Sequence, residues 1–304
     1  MKRKIAVICI HWIGDSFWAA QPLRLLKEKF KGDDIYVICK SHSRFLFKYF
    51  FDEEFIISCD SICSDRHREK FSLSAFFKDI RKCRGIKLDE VIDLSNNYFT
   101  SIFTFLLRSK IRRGIKSGFW SKCYTHVYEN FNYEDHLSKR PWFIFNQIYG
   151  DFCYREPKFF SQLSKVKKTN SALLIPGAGW EEKRWPVSFF VEIGKILVKN
   201  NYRVLIVGSP QESNLLLEVK SDLPDAEIFN GSLEQLVKLI PTVSVSVGND
   251  SGLGHLLAAS GARHASLFTS ETSPEKCRPI GSSVMVFHEQ DIEEVRHFLL
   301  CEEN

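Results

Sequence analysis

The sequence predicts an α/β protein built as two consecutive doubly wound domains. Three observations carry this expectation. Short apolar, β-branched runs alternate with helically spaced segments along most of the chain, the pattern of a parallel sheet covered by helices. The alternation fails between Asp151 and Asn170, where polar residues dominate, and then resumes. The chain has 304 residues, 44% hydrophobic and 26% charged, enough for two cores of ordinary domain size. No fixed-period repeat, heptad seam or low-complexity segment competes with this reading.

In the first half, Ile5 to Ile10 reads as a buried strand. Ser16 to Phe30 follows as a helix, with Trp18, Leu23, Leu25, Leu26 and Phe30 at roughly helical spacing before the break at Gly32. Strands are expected at Ile35 to Cys39, Phe55 to Ser58, Glu90 to Leu94 and Ile111 to Ile115. Helices are expected at Arg44 to Phe50, Ser72 to Cys83, Tyr98 to Leu107 and Pro141 to Tyr149, the last closed by Gly150. Residues 1–155 form the first domain, 156–170 a linker and 171–304 the second domain.

The second half repeats the alternation. Strands are expected at Ala172 to Ile175, Arg203 to Val207, Glu227 to Phe229, Val243 to Val247, His264 to Phe268 and Val284 to Phe287. The helices between them cover Val187 to Lys199, Glu212 to Ser221, Leu233 to Ile240 and Leu256 to Ser260. A final helix from Asp291 to Leu300 is a candidate to pack back on the first domain. A ligand of such a protein sits at the carboxyl ends of the strands, here in a cleft between the domains.

Composition excludes several classes. No apolar run approaches the roughly 20 residues of a membrane span, and the basic head and short apolar run of Met1 to Ile10 read as a strand rather than a signal peptide. The nine Cys are scattered through apparent strands and helices, among them Cys9, Cys39 and Cys153, as expected for buried free thiols in a reducing compartment. Cys59, Cys63 and His67 come nearest to a metal cluster but lack a second ligand pair. The net charge is +5. Lys and Arg collect at Arg66-His67-Arg68, Arg81-Lys82-Cys83-Arg84 and Arg108 to Lys116, alongside many aromatic residues. That pattern suits acidic substrates, an anionic membrane surface or a solvated face, and no nucleic-acid motif is present.

Four strand-end loops carry the chemistry. His11-Trp12-Ile13-Gly14-Asp15-Ser16 places a carboxylate after the first strand; Asp15 either caps the following helix or takes a proton from a hydroxyl. Pro176-Gly177-Ala178-Gly179-Trp180-Glu181-Glu182-Lys183-Arg184-Trp185-Pro186 sets two adjacent cations between Trp residues, suited to a phosphate or to a surface loop. Gly248-Asn249-Asp250-Ser251-Gly252-Leu253-Gly254-His255 joins a strand to a helix: Asp250 or Ser251 can be the N-cap, and Gly252 and Gly254 leave N–H groups open to an anion. Thr269-Ser270-Glu271-Thr272-Ser273-Pro274 is hydroxyl-rich. Absence of G-x-G-x-x-G after the first strand, of a P-loop and of G-x-S-x-G argues against dinucleotide oxidoreductases, P-loop enzymes and α/β-hydrolases.

Taken together, these loops resemble glycosyltransferase family 9, the ADP-heptose:lipopolysaccharide heptosyltransferases. The resemblance runs through Gly14-Asp15, Pro22-Leu23-Arg24-Leu25-Leu26-Lys27, Asp89 to Leu94, Arg113-Gly114, Pro176-Gly177-Ala178, Lys183-Arg184-Trp185-Pro186 and Gly248 to His255. It implies a GT-B fold of two Rossmann-like domains facing a central cleft, acceptor in the first and sugar nucleotide in the second. It also implies inversion at the anomeric carbon without an obligatory metal or other cofactor.

Residue by residue, Asp15 matches the family's proposed base, Lys183 its phosphate-binding lysine and Asp250 to His255 its diphosphate loop. Arg184 and Thr272 join the diphosphate set. Gly177, Ala178 and Glu212 fall near the nucleoside. The chain departs from the family at Thr269 to Pro274, where Phe-Gly-Pro-Thr-Asp-Pro is usual: this loop is one residue longer, with Ser273 in place of the acid. Expected partners are a nucleotide-sugar donor, a lipid-linked or oligosaccharide acceptor and an anionic membrane surface, at the cytoplasmic face of the inner membrane. A nucleotide-sugar epimerase or hydrolase, or a non-catalytic nucleotide-sugar binder, are the alternatives.

Overall fold

A computed structural model describes residues 2–10, 12–62, 71–158 and 166–300. The chain divides into two compact units, Met1–Arg155 and Glu156–Asn304.

The first unit runs β1 (Lys4–Cys9), α1 (Ile13–Lys29), β2 (Asp34–Cys39), α2 (Arg44–Phe47), β3 (Ile56–Ser58), α3 (Leu73–Arg84), β4 (Glu90–Asp93), α4 (Tyr98–Leu106), β5 (Ile111–Ile115), β6 (His126–Tyr128) and α5 (Arg140–Tyr149). Every pairing in its six-stranded sheet is parallel, in the order β3-β2-β1-β4-β5-β6. Ile5 through Cys9 are fully buried, as a central parallel strand covered on both faces requires. Ala6, Ile8, Val91, Phe76, Ile80 and Phe103 join one core beneath α3 and α4.

The second unit runs β7 (Thr169–Ile175), α6 (Val187–Lys199), β8 (Arg203–Ile206), α7 (Ser213–Asp222), β9 (Glu227–Ile228), α8 (Leu233–Leu239), β10 (Val243–Asn249), α9 (Gly252–Ala259), β11 (Arg263–Leu267), α10 (Pro274–Cys277), β12 (Val284–Phe287) and α11 (Ile292–Leu300). Its sheet has the order β12-β11-β10-β7-β8-β9. Counted from its own first strand, each unit therefore shows the order 3-2-1-4-5-6 of a Rossmann domain. The strand order reverses between β1 and β4 in one unit and between β7 and β10 in the other. Ligands of such sheets bind outside the carboxyl ends of the strands at that reversal.

Several elements differ from expectation. The edge strand β6 and the one-turn helix α10 were not foreseen, because neither carries a periodic apolar run: β6 is mostly exposed. The β7 strand begins at Thr169, inside the expected linker. Helix α1 starts at Ile13 and α9 at Gly252, each several residues early, with tertiary packing overriding the poor helix propensity of glycine. In the last helix Val295 and Leu299, one turn apart on α11, are buried in the second unit's core. Cys9 and Cys39 are buried, but Cys153 is exposed in irregular chain beyond α5, contrary to expectation. Cys63, Arg66, His67 and Arg68 lie outside the described residues, and among the described residues no group of His, Cys, Asp or Glu is placed to hold a metal.

Candidate active site

In the second unit the two loops at the strand-order reversal are those that follow β7 and β10. Asn249, the last residue of β10 and fully buried, ties them together. Its side-chain Oδ1 accepts from the Trp185 N–H at 3.0 Å, and its Nδ2 donates to the Pro176 carbonyl at 2.8 Å. Trp185 is buried in the core beside Phe189, and its indole N–H donates to the Phe268 carbonyl at 3.1 Å. Thr269 Oγ1 donates to the Glu182 carbonyl at 3.1 Å, bringing the loop after β11 against the same segment. Each buried bond contributes about 1 kcal/mol net; together they fix the loop that carries Lys183 and Arg184.

Lys183 is 8% exposed. Its ammonium is hydrogen-bonded to the Asp250 carboxylate and lies 3.7 Å from the centroid of the Trp180 ring. The same Asp250 Oδ2 accepts from Thr272 Oγ1 at 2.9 Å. Asp250 thus anchors a cation and a hydroxyl, and Ser251 rather than Asp250 is the N-cap of α9. Asp250, expected in the diphosphate set, thus holds two other members of that set, Lys183 and Thr272.

The start of α9 presents the N–H groups of Gly252 and Leu253 at positions where a helix offers no intrahelical acceptor. The Gly254 N–H is instead taken by the Ser251 carbonyl at 3.1 Å. Gly254 has a packing role: a Cβ there would stand 2.8 Å from His264 Nε2. His264 is completely buried on β11, its Nδ1 3.0 Å from Ser246 Oγ. Burial, with the nearby charge of His255, lowers its pKa to about 3, so a neutral imidazole underlies the helix start. His255 is itself buried. Among the described residues, the buried side-chain atoms with no hydrogen-bond partner include Ser251 Oγ and Arg184 Nε.

Glu212 lies in a 3-10 turn after β8. Its Oε2 accepts from Ser209 N–H at 2.7 Å and Ser209 Oγ at 2.8 Å, while Oε1 is 4.0 Å from Arg184 Nη2. Its carboxylate occupies the place where a side chain at position 177 would go, Oε1 being 2.0 Å from a Cβ built on Gly177. Gly177, Ala178, Arg184 and Glu212 thus share one corner, beside the Lys183, Asp250 and Thr272 group. The departure at Ser273 has a local consequence: Ser273 is the N-cap of α10, and its hydroxyl donates to Glu275 at 2.6 Å.

Asp15 belongs to the other unit, on the loop after β1 at that unit's own reversal. It is the third residue of α1, whose N-cap is Trp12 and makes no side-chain cap; the capping role does not hold, although an acid in the first turn suits the helix dipole. The loop after β4, next in the sheet, is held by a buried network that sequence reasoning missed. Asp93 accepts from the N–H groups of Ser95 and Asn96, at 2.8 and 3.1 Å, and from the Tyr124 hydroxyl at 2.7 Å. Burial raises the Asp93 pKa against these bonds. Ser95 Oγ accepts from the Ile10 N–H at 2.8 Å, linking this loop to the end of β1. The Arg113-Gly114 pair is structural: Arg113 pairs with buried Glu90 at 2.5 Å, and a Cβ at Gly114 would overlap the Tyr124 ring at 2.4 Å.

Two parallel domains of Rossmann strand order, with a lysine loop and a helix N-terminus meeting at the reversal of the second, define the GT-B class of glycosyltransferase folds. A family model described as glycosyltransferase family 9 (heptosyltransferase) matches residues 75–299, and the chain belongs to that family. It is 24% identical over 283 residues to lipooligosaccharide heptosyltransferase 2 of Campylobacter jejuni, covering 89% of this chain and 83% of that one. It is 28% identical over 137 residues to the Haemophilus influenzae protein of the same name, a match spanning 42% of this chain and only 39% of the relative. The solved structure of the Escherichia coli ADP-heptose lps heptosyltransferase II superposes with a TM-score of 0.74 at 19% identity, over 99% of both chains.

Proposed function

We propose that this protein is an inverting glycosyltransferase that moves a heptose from ADP-heptose to a hydroxyl of a lipopolysaccharide core or related lipid-linked glycan at the cytoplasmic face of the membrane. The observation that carries the reading is the joining of the Lys183 loop to the start of α9 at the strand-order reversal, through Asn249 and Asp250. The donor and acceptor classes are those in the names of the relatives.

In the reaction, the acceptor hydroxyl attacks the anomeric carbon as its proton passes to Asp15, and the bond to the diphosphate oxygen breaks. The departing ADP gains charge. Lys183, the free Nε–H of Arg184, the Ser251 hydroxyl and the first N–H groups of α9 meet that charge in place of a metal. Glu212 and the Gly177-Ala178 turn border the nucleoside. No helix among the described residues is long and apolar enough to cross a membrane, which suits peripheral attachment.

Asp15→Asn tests the base. Transfer from ADP-heptose should fall by a factor of about 10² to 10⁴, while ADP affinity by calorimetry stays at the wild-type value. Undiminished transfer would remove Asp15 from the mechanism.

A further inference from the structure

From Leu94 to Tyr128 the chain contains no Asp or Glu, while Arg108, Lys110, Arg112, Arg113, Lys116 and Lys122 all fall within it. The fold gathers this stretch on one flank of the first unit. Helix α4 packs on the sheet through Phe99 and Phe103, with Tyr98 and Ile102 partly buried against the same core, which leaves Phe105 on its exposed side. The 3-10 turn Gly118–Cys123, after the carboxyl end of β5, packs beside that helix, with Trp120 5.9 Å from Tyr98.

The turn exposes what soluble surfaces rarely expose together. Phe119 is 69% exposed, Phe105 51% and Trp120 37%. Cations stand against these rings: Lys122 Nζ is 4.9 Å from the Phe119 centroid, and the Arg112 guanidinium is 5.6 Å from that of Phe105. At the border Lys116 meets exposed Glu129 at 2.9 Å, a pairing too solvated to cancel the field of the flank. Arg113, paired with buried Glu90, does not belong to the surface set.

We propose that this flank is a membrane-docking surface, on which Phe119 and Trp120 enter the interfacial region of an anionic bilayer while Lys110, Lys122 and Arg108 meet the lipid phosphates. Charge complementarity selects the occupant. Bulky aromatics ringed by Lys and Arg are the pairing that interfacial anchors use. The turn follows β5, two strands from β1 in the sheet, so docking brings the bilayer to the same strand-end side at which α1, with Asp15 in its first turn, begins. The proposal goes beyond the transfer reaction and does not depend on which sugar is moved.

The test is co-sedimentation of the full chain with phosphatidylglycerol–phosphatidylcholine vesicles and with phosphatidylcholine vesicles. Wild type should partition onto the anionic vesicles only, and lose them as salt shortens the screening length from about 10 Å to about 3 Å. Lys110→Gln with Lys122→Gln should weaken partitioning by about 25-fold, near fivefold for each cation. Phe119→Ser, an exposed substitution that spares the fold, should weaken it by about tenfold. ADP binding, measured on the same preparations, should not change, which separates failure here from failure of the transferase reading. Equal partitioning of wild type and variants would overturn the proposal, as would absence of binding to anionic vesicles. So would a wild-type dimer that Phe119→Ser dissociates without any vesicle binding, since a second copy would then own the surface.

Discussion

Asp250→Asn separates an anchoring carboxylate from a ligand-binding one. The Lys183 and Asp250 side chains are 10% and 8% exposed, so removing the negative charge leaves an ammonium in a nearly dry site. Breaking a buried pair from one side costs about 3–5 kcal/mol, and the Trp180 ring 3.7 Å from the ammonium offsets about 1 of these. A net loss of about 2–4 kcal/mol in a unit of this size lowers its melting temperature by about 4–16 °C. ADP restores the missing negative charge. The variant should therefore gain more thermal stability from saturating ADP than wild type does, and bind it more tightly, because the ligand no longer shares Lys183 with a carboxylate. Lys183→Met should do the reverse, weakening ADP. Lys183→Met with Asp250→Asn should recover most of the stability but none of the affinity. The assay is thermal unfolding with and without ADP, with calorimetry for affinity. If Asp250→Asn melts with wild type and binds ADP unchanged, the anchoring role is refuted.

The His264 imidazole beneath Gly254 supports two further predictions. Gly254→Ala would press a methyl toward His264 Nε2, 2.8 Å from the built Cβ, which should cost about 1–3 kcal/mol of stability and weaken ADP by tilting the start of α9; denaturant unfolding and calorimetry check both. His264 titrates near 6.5 when unfolded and at about 3 when folded, so the unfolded chain binds the proton more readily. Its stabilising contribution is complete above pH 6.5 and is lost as pH falls from there toward 3. Denaturant melts should show about 1.4 kcal/mol lost per pH unit below 6.5, a slope absent in His264→Phe; equal slopes in the two proteins would contradict the buried neutral state.

The two parallel sheets were legible because near-continuous apolar strands such as Ile5–Cys9 and Val243–Val247 announce them, and the strand-end rule then directs attention to the loops that follow those strands. The loops after β1, β7, β10 and β11 all lie where those strands end. Roles inside the loops were less legible. Nothing local says whether Asp250 faces a ligand or a lysine 67 positions earlier in the chain, since a Gly-rich turn looks the same either way. Asn249 reads as a turn residue until its two amide bonds across the loop are seen. Asp93 reads as the polar end of a strand, and its partner Tyr124 is 31 residues away. The edge strand β6 left no signal because an exposed three-residue strand needs no apolar run, and α10 rests on a Ser-Pro start too short to carry periodicity. The loop at Ser273 departs from the family pattern in sequence, and in the fold Ser273 stands at the start of α10 with its hydroxyl on Glu275.

The most direct measurement follows the fate of ADP-heptose in the presence and absence of a lipid-linked core acceptor, by mass spectrometry of the acceptor and by NMR of the new glycosidic linkage. The account predicts an acceptor heavier by one heptose, with inverted anomeric configuration, and donor that stays intact when acceptor is withheld. Donor consumed equally without acceptor, as free or epimerised sugar nucleotide, would contradict it.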